Sequence, residues 1–279
     1  MNKSELKLGA STRMTNSSLL SLATRVTPRR FFPGAAVALA FLLAQVSPAL
    51  AAPNRNPGIL PPQSRAYGFS YGEWAAQWWA WTLSFPVSAD PANDSAPLDS
   101  NQSGEVWFLP GAHIKSTGTI SVITHQSTAP AGKALFFPVL TYWADDSDCP
   151  VFDTFTPEEL LAFDTTAWDA NVTLLSCTID GVPVQGLSDP IHSSYRVQTP
   201  PFSYTLASHD NLLNNFFAVG LLSCNLDGVT VYPAEADGVF LMLAPLSVGQ
   251  HTIHVFAVIG PLAHPQSEKD ITYQLTIAP

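Results

Sequence analysis

Large aromatic side chains recur at helical spacing between residues 67 and 86. Their separations are three, four, three and four residues, which places them on one face of an α-helix. The five are Tyr71, Trp74, Trp78, Trp81 and Phe85. We therefore predict a tryptophan-rich helix whose aromatic face is covered by the rest of the fold.

Both ends of this helix are marked in the sequence. Ser70 and Glu73 have the spacing of a capping box, in which each side chain accepts a hydrogen bond from the backbone N–H of the other residue. Pro86 disfavours helical geometry in the residue before it, so the helix ends there. Trp79 lies off the aromatic face and is the tryptophan that we predict to be exposed.

Short segments rich in Val, Ile, Phe, Thr and Tyr follow the helix, bounded by Gly, Pro or Asp, which is typical of β-strands. Residues 271–277 alternate strictly and predict a half-buried strand. The ten predicted strands are 105–109, 119–124, 134–140, 172–179, 195–198, 202–206, 217–222, 239–243, 251–258 and 271–277. A second helix begins at Thr156, where Glu159 completes another capping box, and runs to about residue 168.

Many short strands and few helices favour a mainly β protein. We predict an antiparallel β-sandwich, Ig-like or jelly-roll, with the tryptophan-rich helix and one or two short helices packed on it. Residues 67–279 form a single domain in this interpretation. Residues 53–66, rich in Pro and Asn, are an extended linker before it.

Residues 1–52 have the pattern of a secretory signal peptide. Arg29 and Arg30 precede an apolar run at 31–46, and the small residues at 47–52 supply a cleavage site near Ala51. The run is shorter than the ~20 residues of a membrane-spanning helix, so a membrane anchor is the weaker interpretation. We expect a secreted or periplasmic bacterial protein, exported by either the general or the twin-arginine route.

Cleavage changes the charge of the chain. Six of the 12 basic residues and one of the 22 acidic residues precede position 53, so the remainder carries 6 basic and 21 acidic residues, a net charge of −15. Nucleic acids and anionic membranes both require positive patches. We therefore predict that neither is a partner of the exported form.

The three cysteines are Cys149, Cys177 and Cys224. Residues 174–184 and 221–231 have similar sequences, each reading as strand, Asp-Gly turn and strand, with a cysteine at the equivalent position. If the two hairpins are neighbours, the favoured disulfide is Cys177–Cys224, although the other two pairings stay open. The cysteine spacing fits neither a zinc nor a haem site.

Four sequence blocks are similar to those of an uncharacterised family of secreted bacterial proteins. The blocks are 71–81, 104–109, 130–139 and 237–254. The resemblance implies an exported β-rich protein and no established activity. It also implies a cysteine shortly before the second block and another before the third, but residues 98–103 and 126–129 contain none.

Tryptophan offers the candidate ligand contacts. Exposed indole rings stack on sugar rings, whereas buried rings are core. The alanines beside the helix's aromatic face favour close packing there. The candidates for ligand binding are Trp79, Trp107 and Trp143.

Three carboxylates on one loop, Asp145, Asp146 and Asp148, are candidate Ca²⁺ ligands. The loop lacks the length, the glycine and the distal glutamate of an EF-hand, so a solvated acidic turn is the alternative. We predict no other cofactor.

Nucleophile and phosphate-binding motifs are absent from the sequence. A carboxylate pair for glycoside cleavage depends on spatial position, which sequence spacing does not reveal. The weak catalytic candidates are Glu73, Glu105, Asp146 and His254. His251 and His254 fall on opposite faces of a regular strand and so do not chelate one metal together.

Three functional hypotheses follow. The first is an exported, non-catalytic module that binds a carbohydrate, a surface polymer or a protein partner. The alternative is a secreted hydrolase or lyase that degrades a glycan or other polymer, using a carboxylate pair or a metal in a groove beside the tryptophan-rich helix. A weaker third is a structural component of the cell envelope.

Overall fold

The computed structural model describes residues 56–92, 100–113, 119–147, 154–217 and 225–279. All of the described residues belong to one compact unit. The predicted signal peptide at 1–52 therefore lies outside the described residues. No described helix is long and apolar enough to cross a membrane.

The described residues form two α-helices and ten strands, numbered in chain order. They are α1 (Tyr71–Leu83), β1 (Val106–Phe108), β2 (Thr119–Pro130), β3 (Ala134–Asp145), α2 (Pro157–Asn171), β4 (Val172–Ile179), β5 (Val182–Pro183), β6 (Arg196–Gln198), β7 (Phe202–Thr205), β8 (Thr230–Leu243), β9 (Gly249–Ile259) and β10 (Ser267–Ala278). Short 3-10 turns flank α1, and a single π turn spans Leu213–Phe217. Most of the strand predicted at 217–222 lies outside the described residues.

The strands form two mixed sheets. The first has the order β1–β3–β8–β6, with β7 also paired to β8, and the second has the order β2–β10–β9–β4–β5. Pairing is parallel between β1 and β3 and between β2 and β10, and antiparallel in the other pairs. The prediction of a mainly β, sandwich-like protein with few helices is confirmed.

The prediction of an antiparallel sandwich holds for most strand pairs but fails for two, because β1–β3 and β2–β10 are parallel. A tight hairpin forces antiparallel pairing, but parallel neighbours need a longer crossover connection. Here the chain passes from β1 in the first sheet to β2 in the second sheet and returns to the first sheet with β3. β1 and β3 are therefore neighbours without a hairpin between them. Local turn signals carry no information about that exchange between sheets.

The first sheet is the middle layer of the fold. Successive strand residues point to opposite faces, and Phe136 packs against Tyr71 of α1 while Phe137 packs against Tyr273 of β10, with ring centroids 5.7 and 6.0 Å apart. α1 thus covers one face, and the second sheet covers the other. This explains why residues 134–140 are a continuous apolar run rather than an alternating one.

The start of α1 is fixed by the predicted capping box. Ser70 Oγ accepts a hydrogen bond from the Glu73 amide at 3.2 Å, and the Glu73 carboxylate accepts one from the Ser70 amide at 2.6 Å. The Tyr71 hydroxyl then donates to the carbonyl of Leu60 and accepts from the amide of Met242. One side chain therefore joins the segment before α1, the helix and β8.

Trp79 is buried, contrary to the prediction that it is exposed. Its side chain is only 5% exposed because residues 141–143 of β3 extend along the side of α1 that carries it. The indole N–H donates to Thr141 Oγ1 at 3.3 Å, and the ring packs on Trp143. All four tryptophans of α1 are therefore buried.

The second helix, α2, begins at the predicted cap and is three residues longer than predicted. Thr156 and Glu159 form the capping box, and β4 follows the helix directly at Val172. Trp168 anchors the helix: it is fully buried, contacts Tyr142 edge-on and donates its indole N–H to the carbonyl of Pro190.

Candidate functional site

A cavity of about 460 Å³ lies between the second half of β3 and the turn that joins β9 to β10. The end of α2 contributes Asn171, and the segment after β1 contributes His113. The turn is fixed by two backbone hydrogen bonds, from Gly260 to the Asn171 carbonyl and from Gln266 to the Ile259 carbonyl. With Trp79 of α1, five parts of the chain thus meet around one volume.

The aromatic wall of the cavity is made by Trp79 and Trp143. Their ring centroids are 5.1 Å apart, and the ring planes are tilted by 32°. Trp143 Nε1 donates to Asp145 at 2.8 Å, and Trp79 Nε1 donates to Thr141. Because both indole N–H groups bond within the protein, the wall presents ring surface to a ligand rather than hydrogen-bond donors.

A lysine side chain, Lys269, also lines the cavity. Lys269 follows Ser267 on β10, in register with Ala257 of β9 and Ser121 of β2, and its side chain is 7% exposed. Burial disfavours the charged form and lowers the pKa of Lys269 to about 8. No described side chain forms an ion pair with its amino group.

A histidine–carboxylate contact forms a further polar part of the lining. His113 Nε2 lies 2.9 Å from Asp90 Oδ2, and the side chains are 9% and 0% exposed. Asp90 also accepts a hydrogen bond from the Ala92 amide. Asp90 therefore lies behind His113 and does not itself line the cavity.

The three tryptophans predicted as ligand contacts do not lie together. Trp79 and Trp143 share the cavity wall, whereas Trp107 is a residue of β1, 8% exposed and part of the hydrophobic core. Its indole nitrogen is buried without a hydrogen-bond partner among the described residues. Trp107 therefore belongs to the packing of the first sheet.

The four weak catalytic candidates are dispersed. Glu73 is held by the capping box and lies 3.3 Å from Arg65, and His254 lies on β9 with its Nε2 2.8 Å from Asp270. Asp146 follows β3 and accepts a 3.4 Å hydrogen bond from the Phe155 amide. Glu105 is exposed beside a second groove, of about 430 Å³, that Trp74 and Trp81 also line.

Among the predicted Ca²⁺ ligands, Asp145 accepts hydrogen bonds from three groups of the protein. Its carboxylate accepts from Trp143 Nε1, from the Tyr204 hydroxyl at 2.6 Å and from the Ser147 amide at 3.1 Å. Asp148 lies outside the described residues. Within the part of the chain that the structure describes, no three His, Cys, Asp or Glu side chains are placed to hold a metal ion. The Ca²⁺ site stays a prediction.

Cys177 is a free, buried thiol on β4, so the predicted Cys177–Cys224 disulfide is not formed at this residue. It lies on the inward face of the second sheet, and burial raises the pKa of the thiol to about 12. Its predicted partner Cys224 and the third cysteine, Cys149, lie outside the described residues. A thiol of that kind is unreactive at neutral pH.

The sequence analysis identified Trp79 and Trp143 but none of the other residues that line the cavity, and among these Lys269 is the cationic one. The signal was present in the alternation of residues 271–277, because residues 267 and 269 share the parity of the inward positions Ile271 and Tyr273. Extending the alternation by one more step would have placed a lysine in the core. A lysine that is almost fully buried is uncommon unless it is paired, so its position on β10 is informative.

Comparison of the chain with protein-family models, with curated proteins and with solved structures finds no match.

Proposed function

We propose that the protein is an exported, non-catalytic binding module and that a carbohydrate binds in the cavity beside α1. In this proposal one sugar ring stacks on the indole wall formed by Trp79 and Trp143. Export rests on the signal-peptide pattern at 1–52. Binding rests on one observation, the two adjacent indole rings that line a cavity of about 460 Å³ together with polar side chains.

The cavity has the size and lining of a small-ligand site. Such sites measure roughly 300–1,000 Å³ and combine apolar or aromatic walls with a few polar groups that fix orientation. Here the polar groups include Ser267, Lys269 and Asn171. Sugars present apolar C–H faces and polar hydroxyl edges, which suits a lining that has both kinds of surface.

The alternative function, a secreted hydrolase or lyase, has less support. Glycoside cleavage by a carboxylate pair requires two acids roughly 5–10 Å apart across the bond that breaks. Among the described residues that line the cavity there is no Asp or Glu, and among those that line the second groove Glu105 is the one carboxylate. The non-catalytic module is therefore the function that we favour.

The proposal is tested by screening the purified protein on a glycan array and on insoluble polymers, with and without Ca²⁺. The best ligand is then titrated calorimetrically into Trp143→Ala, whose target side chain is half-buried. Loss of the stacking surface should weaken binding at least about fivefold, since base–aromatic stacking, a comparable contact, is worth ~1–3 kcal/mol.

The matched control is Phe163→Ala, which removes an aromatic ring that is 67% exposed on α2 and does not line the cavity. It should bind as the parent protein does. Absence of any glycan or polymer ligand would contradict the proposal, and so would equal affinities of the two variants.

A further inference from the structure

Lys269 is a buried cationic side chain at a position where a strand of this sheet otherwise carries apolar residues. Ile271, Tyr273, Leu275 and Ile277 follow it on the same face of β10 and are nearly or completely buried. An ammonium group in such surroundings is unfavourable unless an anion or several hydrogen bonds compensate it. No described residue supplies an anion to it.

Lys269 is the one Lys or Arg side chain among the described residues that line the cavity. Ser267, Gln266, Asn171 and Thr141 are neutral donors and acceptors. The titratable side chains that line the cavity with Lys269 are His113, whose neighbour Asp90 lies behind it, and Tyr142 of β3. Burial and nearby Asp164 raise the pKa of Tyr142, so its hydroxyl is neutral at pH 8.

We propose that the ligand of this cavity is an acidic sugar of the uronic acid class, whose carboxylate binds the amino group of Lys269 while its ring stacks on Trp143. The proposal rests on the proposed carbohydrate-binding function and adds the charge of the ligand to it. A carboxylate supplies the counter-charge that Lys269 lacks within the described protein. A sugar that carries a carboxylate also has a ring that can stack on the indole wall.

The protonation state of Lys269 changes on binding under this proposal. With a pKa of about 8, roughly half of the amino groups are neutral at pH 8 in the ligand-free protein. A bound carboxylate stabilises the ammonium form and raises its pKa, so binding at pH 8 should take up about half a proton per ligand. Affinity should fall as the pH rises above 8.

The first experiment compares two ligands that differ only at carbon 6, where one has a carboxylate and the other a neutral hydroxymethyl group. Digalacturonate and its carboxyl-reduced, neutral counterpart are titrated calorimetrically into the full protein at pH 7, with acetate as a third probe that has a carboxylate and no ring. We expect the protein to bind the uronate about tenfold or more tightly than the neutral sugar, as for a charge-assisted hydrogen bond. Acetate should bind more weakly than the uronate.

The second experiment assigns the preference to Lys269. Lys269→Met removes the charge and keeps an unbranched side chain, and it should bind the two sugars equally and take up no proton at pH 8. Proton uptake is obtained by repeating the titration in buffers of different ionisation enthalpy. The matched control is Lys133→Met, because Lys133 bonds to the carbonyl of Gly104, does not line the cavity and should leave the preference intact.

The outcomes separate the two proposals. Equal binding of both sugars by the parent protein would contradict the proposal that the ligand is acidic, but it would agree with carbohydrate binding. Failure of both sugars to bind would contradict both proposals. Binding of acetate without either sugar would mean that the cavity recognises a carboxylate but not a sugar ring. If Lys269→Met does not fold, the preference and the proton uptake of the parent protein decide the question by themselves.

Discussion

Arg196 forms a two-pronged ion pair with Asp237. Arg196 Nε lies 2.9 Å from Asp237 Oδ1, Nη2 lies 2.7 Å from Oδ2, and the Asp237 side chain is completely buried. The guanidinium also lies 5.3 Å above the Trp168 ring. The pair joins β6 to β8 beneath α2, so it fixes how the second helix sits on the first sheet.

Removal of Arg196 should therefore destabilise the fold severely. Arg196→Met leaves the Asp237 carboxylate buried without its cation, and such losses cost about 3–5 kcal/mol. The control is Asp169→Asn, which removes a second carboxylate that bonds to Arg196 but is 49% exposed, and which should cost less than about 1 kcal/mol. Urea denaturation measures both, and similar losses in the two variants would show that the Arg196–Asp237 pair is not the main contact.

Asp164 should make the stability of the protein depend on pH. Its side chain is completely buried on α2, and burial together with the nearby Asp237 charge raises the pKa to about 8. Between about pH 4 and pH 8 the folded state keeps this proton while the unfolded state loses it. The free energy of unfolding therefore falls as the pH rises through that window, by up to about 1.4 kcal/mol per pH unit.

The variant Asp164→Asn removes this titration and isolates the effect of one group from the rest of the protein. Its stability relative to the parent should increase steadily from pH 4 to pH 8 and then become constant. Urea denaturation at a series of pH values gives the difference. A difference that does not change with pH would mean that Asp164 ionises in the folded protein as it does in the unfolded chain.

Trp78 and Trp79 should both contribute strongly to stability. From the sequence alone, Trp78→Ala is expected to lower the melting temperature severely and Trp79→Ala to leave it nearly unchanged. In the structure Trp78 is 2% exposed and donates to the Leu109 carbonyl at 2.8 Å, and Trp79 is nearly as buried. Truncation of either should cost about 3–5 kcal/mol, measured by thermal and chemical denaturation.

A nearly unchanged melting temperature for Trp79→Ala would restore the expectation from the sequence and would show that the contacts with Thr141 and Trp143 are not formed in solution. The variant Thr141→Ala separates packing from hydrogen bonding. It removes the acceptor of the Trp79 indole N–H and leaves the ring in place. We expect it to cost much less than the loss of the ring.

Local features were predictable from the sequence, and features that depend on distant segments were not. The start of α1 follows from Ser70 and Glu73, which lie three residues apart, and the half-buried character of β10 follows from its alternation. The burial of Trp79 depends on residues 141–143, some 60 positions away. The parallel pairing of β2 with β10 joins strands more than 140 residues apart, and no turn signal connects them.

The candidate site was predictable in part for the same reason. Trp79 and Trp143 were identified as ligand contacts by residue type, but only the fold brings them within 5.1 Å of one another. The inward position of Lys269 could have been predicted from the alternation along β10. Its lack of an anionic partner among the described residues depends on every element packed around it. Chemistry that depends on an unpaired charge is visible only when the neighbours are known.

Lys269 should reduce the stability of the ligand-free protein at neutral pH, in the opposite sense to Asp164. Because burial lowers its pKa from 10.5 to about 8, the unfolded chain binds more protons than the folded protein between those two values. The free energy of unfolding should therefore rise with pH across that window. Lys269→Met should be more stable than the parent below pH 8, and its advantage should shrink as the pH approaches 10.5. A series of urea denaturations across this pH range measures the difference between the two proteins, and a difference that does not change with pH would mean that Lys269 reaches solvent in the folded protein.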